Sequence, residues 1–273
     1  MNPDNRRIGQ RRIPQSGYGG PERRIMGHDR RGGAVVVRRQ EAPAIKHEPK
    51  PVTFMQSSEE LKECARAHSE AVIANDEYGI EELAKIDPTI EYIVDIGANL
   101  GCASYQFQKF FPNAKILVCE PEPELMKYAK LNTGNKLIYV EKAIIDNEET
   151  KEVTFNVCAW GGNGHVDGHF RWDLFAPMGS RKVSEIKVPA VTLKQLLKDN
   201  NFPRIDLLKV DCEGFEGGIL GAFKSDMKLV KHFRGEWHGD AEIPLIEDAL
   251  KDTHNIVFDK TYSTHGDIVA EPK

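Results

Sequence analysis

The sequence predicts an α/β fold, a mostly parallel central sheet with helices on both faces. Three observations predict it. Short apolar runs of strand length alternate with amphipathic runs of helix length between about residues 90 and 223. Breakers such as Pro112-Asn113 and Gly134 separate the runs. The first strand-like run ends in the turn Asp95-Ile-Gly97-Ala-Asn99-Leu-Gly101, which leads directly into a helical pattern.

Ser57 to Lys85 reads as helix. Ser57 or Ser58 can cap it, Glu59 and Glu60 suit the positive end of its dipole, and Leu61, Cys64, Ala65, His68 and Val72 approximate one face. Asp87-Pro88 breaks it. Tyr92 to Ile96 is the first strand, and Leu100 to Phe111 the helix after it. Lys115 to Glu120 forms the second strand, followed by a helix from Pro121 to Asn132 that Gly134 closes. Leu137 to Val140 is the third strand and Val153 to Val157 a further one, before a long Gly-rich stretch. Thr192 caps a helix running through Lys198, Ile205 to Val210 is a buried strand, Phe215 to Phe223 a helix, and His232 to His238 another strand. Beyond it the pattern weakens, and no internal repeat is present.

With 40% hydrophobic and 29% charged residues among 273, the composition is that of an ordinary soluble protein able to bury a large core. No apolar run approaches the ~18 residues of a membrane helix, so no membrane span is expected. Five cysteines (Cys64, Cys102, Cys119, Cys158, Cys212) are odd in number and never spaced Cys-x-x-Cys. That pattern argues against a disulfide framework or a structural zinc site and points to a reduced, cytoplasmic setting. Charge divides sharply. Residues 1–50 hold ten Arg and two Lys against two Asp and three Glu, a net +7, which leaves −12 for the remainder of a chain whose total is −5. This Arg-rich arm has one short apolar run, Ala34 to Val37, and is expected to be disordered. It is either a solvated tail or an electrostatic tether to nucleic acid or another polyanion.

The glycine turn carries the chemistry. An acid, Asp95, precedes the first glycine by two residues, and the spacing is Gly-x-x-x-Gly rather than the Gly-x-Gly-x-x-Gly that cradles a pyrophosphate. A second acid, Glu120, ends the next strand. S-adenosylmethionine has no phosphate to bind, but it carries a sulfonium and an ammonium that favour a nearby carboxylate such as Asp95, directly or through water. Glu120 can accept hydrogen bonds from both ribose hydroxyls. A dinucleotide-binding fold with a degenerate loop is the alternative, and Asp95 could merely stabilise its turn.

Four segments together resemble the FkbM family of methyltransferases: Val94-Asp-Ile-Gly-Ala-Asn-Leu-Gly101, Cys119-Glu-Pro-Glu-Pro123, Ala143-Ile-Ile-Asp146 and Leu208-Lys-Val-Asp-Cys-Glu-Gly-Phe-Glu216. They occur in family order over roughly residues 90–224. The resemblance implies a Rossmann-like class I methyltransferase fold that uses S-adenosylmethionine. It also implies donor contacts at Asp95, Gly97, Ala98, Asn99, Gly101, Glu120 and Asp146, and a hydroxyl acceptor on a saccharide or other small molecule. The domain division that follows is a disordered arm over 1–50, a helical lead-in over 51–88 and a methyltransferase domain over 89–273, with its motif core at 92–223.

On the acceptor side, residues 159–186 form a loop-like stretch with aromatics among glycines. It is either a lid that shields the donor from water or an inert surface loop. His165-x-Asp167-x-His169 offers alternate ligands in an extended segment, but nothing else points to metal and no metal centre is assigned. Asp211, Glu213 and Glu216 start the turn after a central strand, where ligand-facing groups gather. Three carboxylates there repel one another, so one is expected to be protonated near neutral pH; alternatively Glu213 and Glu216 stabilise a helix N-terminus. Asp211 is the leading candidate for a general base, followed by Glu213 and His238. Methylation of an RNA or protein recruited by the arm, or a binding protein that keeps the fold without turnover, are the rival readings.

Overall fold

The computed structural model describes residues 62–159, 164–168, 182–259 and 264–273, and the backbone alone of 24–28, 34–38 and 59–61. Helix α1 (Glu59–His68) leads into a π-helical segment (Ser69–Ala74) and then α2 (Ile80–Ile86). The single helix expected from Ser57 to Lys85 is thus interrupted. Asp76 does this: its carboxylate accepts from Ile80 N (2.8 Å) and Glu81 N (3.0 Å), starting a new helix one residue past Gly79, whose φ is +64°. The expected cap at Ser57 or Ser58 lies outside the described residues.

The alternation that follows matches the sequence pattern closely. It comprises β3 (Tyr92–Ile96), α3 (Cys102–Phe110), β4 (Lys115–Cys119), α4 (Pro123–Asn132) and β5 (Ile138–Val140). After the inserted strands described below come α5 (Leu193–Asp199), β10 (Ile205–Val210), α6 (Glu216–Phe223), β11 (Val230–His238), α7 (Glu242–Leu250), β12 (His254–Phe258) and β13 (His265–Pro272). Thr192 caps α5 as expected, its hydroxyl accepting from Gln195 N at 3.2 Å. The last helix and two strands, α7, β12 and β13, went unread in the sequence.

Two strands precede these, β1 (Arg24–His28) and β2 (Ala34–Arg38), and complete a nine-stranded sheet of order β2-β1-β12-β13-β11-β10-β3-β4-β5. From β5 to β11 every neighbour is parallel; β13 runs antiparallel between β11 and β12. Alternate residues face opposite sides. Val94, Ile96, Leu117, Cys119, Leu208 and Val210 pack under α5, α6 and α7, whereas Ile93, Ile116, Val118 and Leu207 pack under α2, α3 and α4. Helices therefore cover both faces, as a Rossmann-like class I methyltransferase fold requires.

A second sheet, of order β6-β9-β7-β8, is built from β6 (Ala143–Ile145), β7 (Glu152–Cys158), β8 (His165–Val166) and β9 (Lys182–Thr192). Part of the stretch expected to be loop is therefore strand. The apolar and β-branched residues Val183, Ile186 and Val188 lie on β9, which pairs along the whole of β7. The remainder of that stretch, 160–163 and 169–181, lies outside the described residues, as does most of the arm over 1–50. Within the arm the β1–β2 hairpin differs from the expected absence of structure. Its apolar Ala34 to Val37 run supplies one strand, and it meets β12 through Met26 opposite Phe258. Among the described residues no helix is long and apolar enough to cross a membrane.

With so narrow a junction to β12, deleting residues 1–50 is expected to shift the melting temperature of the body by only a few degrees, measured by circular dichroism. A large fall would show that the arm is part of the core.

Candidate active site

Parallel strands β3, β4, β10 and β11 end at one edge, and their following turns meet there. Ile96 passes into Gly97, whose N–H and that of Ala98 both donate to Cys119 O at 3.0 Å, while Asp211 N donates to Ile96 O at 3.2 Å. Gly97 has φ +73°, and a Cβ there would stand 1.7 Å from Asp211 O. Only glycine lets the loop after β3 and the turn after β10 lie this close. Gly101, at φ +81°, closes the loop; a Cβ there would stand 2.9 Å from Ala129 Cα on α4. Between them Asn99 takes φ +52°, with its Oδ1 accepting from Leu100 N at 2.7 Å.

Beneath the loop lies a buried ion cluster. Asp95 on β3 and Lys209 on β10 are direct cross-strand partners, with exposures of 0% and 2%. Lys209 Nζ is 3.3 Å from Asp95 Oδ1 and 3.4 Å from Asp211 Oδ2, and it donates to Gly97 O at 2.6 Å and Ile96 O at 3.3 Å. The other Asp95 oxygen accepts from Ser104 Oγ at 2.5 Å. Asp95 does not line the cleft. It sits under the loop and fixes Lys209, which in turn fixes the loop.

The cleft has a volume of about 640 Å³ and is walled by Gly97, Asn99, Glu120, Pro121, Ala143, Ile144 and Asp211, among others. A smaller cavity of about 270 Å³ adjoins it and shares His68, Gly97, Asn99 and Asp211. Glu120, 4% exposed, accepts from Asn99 N through Oε2 and from Glu122 N through Oε1, both at 2.9 Å. Burial pushes its carboxyl up to about 7 against those two hydrogen bonds. The inserted sheet supplies another wall through Phe155, Gly164 and Val166.

Asp211 and Glu213, from the turn after β10, and the His68 ring, from the end of α1, also line the cleft. Burial alone would raise the Asp211 carboxyl, but Lys209, His238 and the Tyr78 hydroxyl bring it below its ordinary value. Its Oδ2 accepts from Tyr78 Oη at 3.0 Å and faces Lys209; its Oδ1 makes no hydrogen bond among the described residues. Glu213, in the left-handed region at φ +62°, is pushed up to about 8 by burial, with His238 pulling the other way. Desolvation lowers the pKa of His68, which keeps the ring neutral.

His238 stands differently from its expected role as a base. It does not line the cleft. Its Nδ1 contacts Glu216 Oε1 at 3.0 Å, and its Nε2 lies 3.7 Å from Glu213 and 3.6 Å from Glu236. Burial opposes charging of the ring, but the three glutamates outweigh it and hold the imidazole well above its usual pKa. His238 thus contacts the carboxyls behind the cleft rather than the cleft itself. Glu216 is in turn bound by Cys212 N and Gly214 N, which shapes the turn after β10 and matches the helix N-terminal role foreseen for it.

Of the residues singled out in the sequence, Gly97, Asn99, Glu120, Asp211 and Glu213 converge on the cleft, and Ala98 lines the adjoining cavity. Asp146 does not join them. It is exposed just past β6, bonded by Asn147 Nδ2 at 2.9 Å, while Ala143 and Ile144 of that strand line the cleft. His165 and Asp167 are tied to Asn156 Nδ2 at 3.2 and 3.1 Å, and His169 lies outside the described residues. Tyr78 and His68 went unnoticed as site residues. Their only signal was a His on the apolar face of the lead-in and an aromatic before Gly79.

Comparison with known proteins gives three findings. Residues 95–252 match the methyltransferase FkbM domain. Over 190 residues the chain is 27% identical to methyltransferase sdnD of Sordaria araneosa, covering 60% of this chain and 73% of that protein. Among solved structures, the N-terminal domain of human METTL16 in complex with SAH is 12% identical, with a TM-score of 0.42 over 72% of this chain and 68% of that one. A putative O-methyltransferase from Klebsiella pneumoniae is 10% identical, with a TM-score of 0.44 over 81% and 92%.

The close approach at Gly97 is directly testable. Gly97→Ala adds a methyl group against the Asp211 carbonyl at a positive φ, so urea unfolding should show a loss of more than about 1 kcal/mol. An unchanged unfolding midpoint would mean that the two turns are not pressed together.

Proposed function

The chain belongs to the FkbM methyltransferase family, and from that premise we propose that it methylates a hydroxyl oxygen on a saccharide or other small molecule. It is an S-adenosylmethionine-dependent methyltransferase; the hydroxyl acceptor and the residue roles are what the proposal adds. The cradle suits the donor. Gly97 leaves its Cβ space to a backbone neighbour and lets a ligand approach the loop, and each Glu120 oxygen uses one lone pair on a backbone N–H, keeping the other for a ribose hydroxyl. Bound there, S-adenosylmethionine supplies a methyl group on a positively charged sulfur. Gly97, Ala98, Asn99 and Gly101 shape the loop around it, and Asp95 acts from beneath through Lys209. Pro121, Ala143 and Ile144 give the cleft an apolar part suited to a base ring.

Asp211 carries the acceptor reading. A hydroxyl must lose its proton as the new bond forms, and a positioned base contributes about 10²–10⁴-fold. Asp211 is kept ionised by Lys209, lines the cleft, and has Oδ1 available. Its surroundings favour a neutral acceptor. Ionised Asp211 lines the cleft, and Glu77 and Asp267 gather beyond it, an edge that repels the phosphates of RNA.

The deciding experiment is incubation with methyl-labelled donor and fractionated cell extract. A labelled methyl ether on a small molecule is the expected product; label in RNA or protein, or none transferred, would overturn the proposal. Glu120→Ala should weaken donor binding roughly 10- to 150-fold by calorimetry, the loss of a charged hydrogen bond of about 1.5–3 kcal/mol. Because Glu120 titrates near 7 and the ribose hydroxyls seek its ionised form, donor affinity should rise between pH 6 and 8 and level off above. Glu120→Gln should abolish that rise. Asp211→Asn should keep fold and donor affinity while lowering turnover at least tenfold. Near-normal turnover would remove Asp211 from the mechanism and leave His68 as the neutral base in the same cleft.

A further inference from the structure

A phenol has one proton to donate and an oxygen that can accept. The Tyr78 oxygen lies 3.0 Å from Asp211 Oδ2 and 3.2 Å from Glu236 Oε1, both hydrogen-bond distances. One proton cannot serve two ionised carboxylates. The second contact closes when one carboxyl keeps its own proton and donates it to the phenol oxygen. The surroundings decide which. Lys209 stands 3.4 Å from Asp211 and favours the ionised form there. Glu236 lies with Glu77 and Asp267, one carboxylate oxygen of each within 4.8 Å of the others, a grouping that favours the protonated form against the pull of His238 at 3.6 Å. Burial and these same acids hold the Glu236 carboxyl well above the usual range.

Tyr78 is held in this position from two sides. Arg234 Nε donates to its backbone oxygen at 3.0 Å, and the Lys209 ammonium lies 5.6 Å from its ring centroid. The ring is buried, whereas Glu77, Glu236 and Asp267 are half-buried and reach solvent. His68, across the cleft, completes the set of ionisable groups around Asp211.

We propose that Asp211, Tyr78 and Glu236 form a proton relay from the methyl-transfer cleft to the outer acidic edge, with Tyr78 as its middle member. The relay rests on the reading of Asp211 as base for a hydroxyl acceptor. Before transfer, Glu236 donates to the Tyr78 oxygen and Tyr78 donates to ionised Asp211. As the acceptor oxygen bonds to the methyl carbon, its proton passes to Asp211. Glu236 then releases its own proton to water. The Asp211 proton moves to the Tyr78 oxygen while the Tyr78 proton moves to the vacated Glu236 carboxylate, which restores the starting state with one proton delivered to solvent. Tyr78 contacts no reacting atom in this scheme, and acts through Asp211.

The test uses the full chain, labelled with ¹³C at its Asp and Glu carboxyl carbons and saturated with S-adenosylhomocysteine. Glu236→Gln and Asp211→Asn identify the two resonances. In the wild type the Glu236 signal is expected to titrate at least one unit above the ordinary glutamate value of about 4.3, and the Asp211 signal below the ordinary aspartate value of about 3.9. Tyr78→Phe keeps the ring under Lys209 and removes the hydroxyl, so the two titrations should move toward each other, Glu236 downward and Asp211 upward. A tyrosine that only packs would move neither, and unchanged titrations in Tyr78→Phe, or an ordinary Glu236, would overturn the relay. Should Tyr78→Phe not fold, the Asp211 titration in Glu236→Gln reads the same coupling. With labelled donor and the active extract fraction, Tyr78→Phe and Glu236→Gln should each slow turnover at least tenfold at unchanged donor affinity. A slow Asp211→Asn beside a full-speed Tyr78→Phe would refute the relay alone, whereas a full-speed Asp211→Asn would refute the base beneath it.

Discussion

Lys209 is buried near the middle of a nine-stranded sheet, where an isolated ammonium costs several kcal/mol unless its neighbours offset the lost hydration. Its neighbours do so completely. Two backbone carbonyls of the glycine loop and the carboxylates of Asp95 and Asp211 surround it, and the Tyr78 ring lies to one side. The same contacts that make the charge tolerable tie three separate pieces of chain together: the end of β3, the end of β10 and the turn between the lead-in helices. The shape of the cleft follows from that knot. The loop can be glycine-rich and still hold one conformation because a cation pins its carbonyls from below, and Asp211 stays ionised because the cation is shared.

Much of this was legible in the sequence. The apolar runs at Tyr92–Ile96, Lys115–Cys119 and Ile205–Val210 read as strands because covering helices bury both of their faces. The loop was readable because few residue types satisfy a positive φ, and Glu120 because an acid that ends a parallel strand falls at the cleft. What escaped notice depended on tertiary contacts. Nothing local marks Tyr78 or His68 as site residues, since only the folding of the lead-in over the strand ends brings them to Asp211. Lys209, inside the strand expected to be buried, drew no comment from the sequence, and its meaning appears only when Asp95 is set opposite it. Asp146 was named from motif position, and the structure places it exposed just past the end of β6. His238 was seen as a candidate base at a strand end; its contacts with Glu213 and Glu216, in the turn after β10, are tertiary and not visible in the sequence.

The acid edge shows how one kind of side chain takes different states within a few ångströms. Asp211 is lowered beside a lysine, Glu213 is raised by desolvation, and Glu216 is engaged by backbone N–H groups and the His238 ring. No single charge rule predicts this division; distance to Lys209 and to His238 sets it. Such a gradient of protonation across neighbouring carboxyls suits proton transfer, because it places an acceptor at the cleft and donors behind it.

The placement of β13 bears on how the chain assembles. It follows β12 in sequence, yet lies between β12 and β11, and its residues Ile268 and Ala270 belong to the main core. During synthesis, therefore, the edge of β11 stays unpaired until the segment 265–272 has emerged, although all the parallel strands are already made. Such an open edge is a template for pairing with other chains, so nascent molecules pass through an interval of exposure to aggregation. The last strand thus governs how much protein reaches a working state.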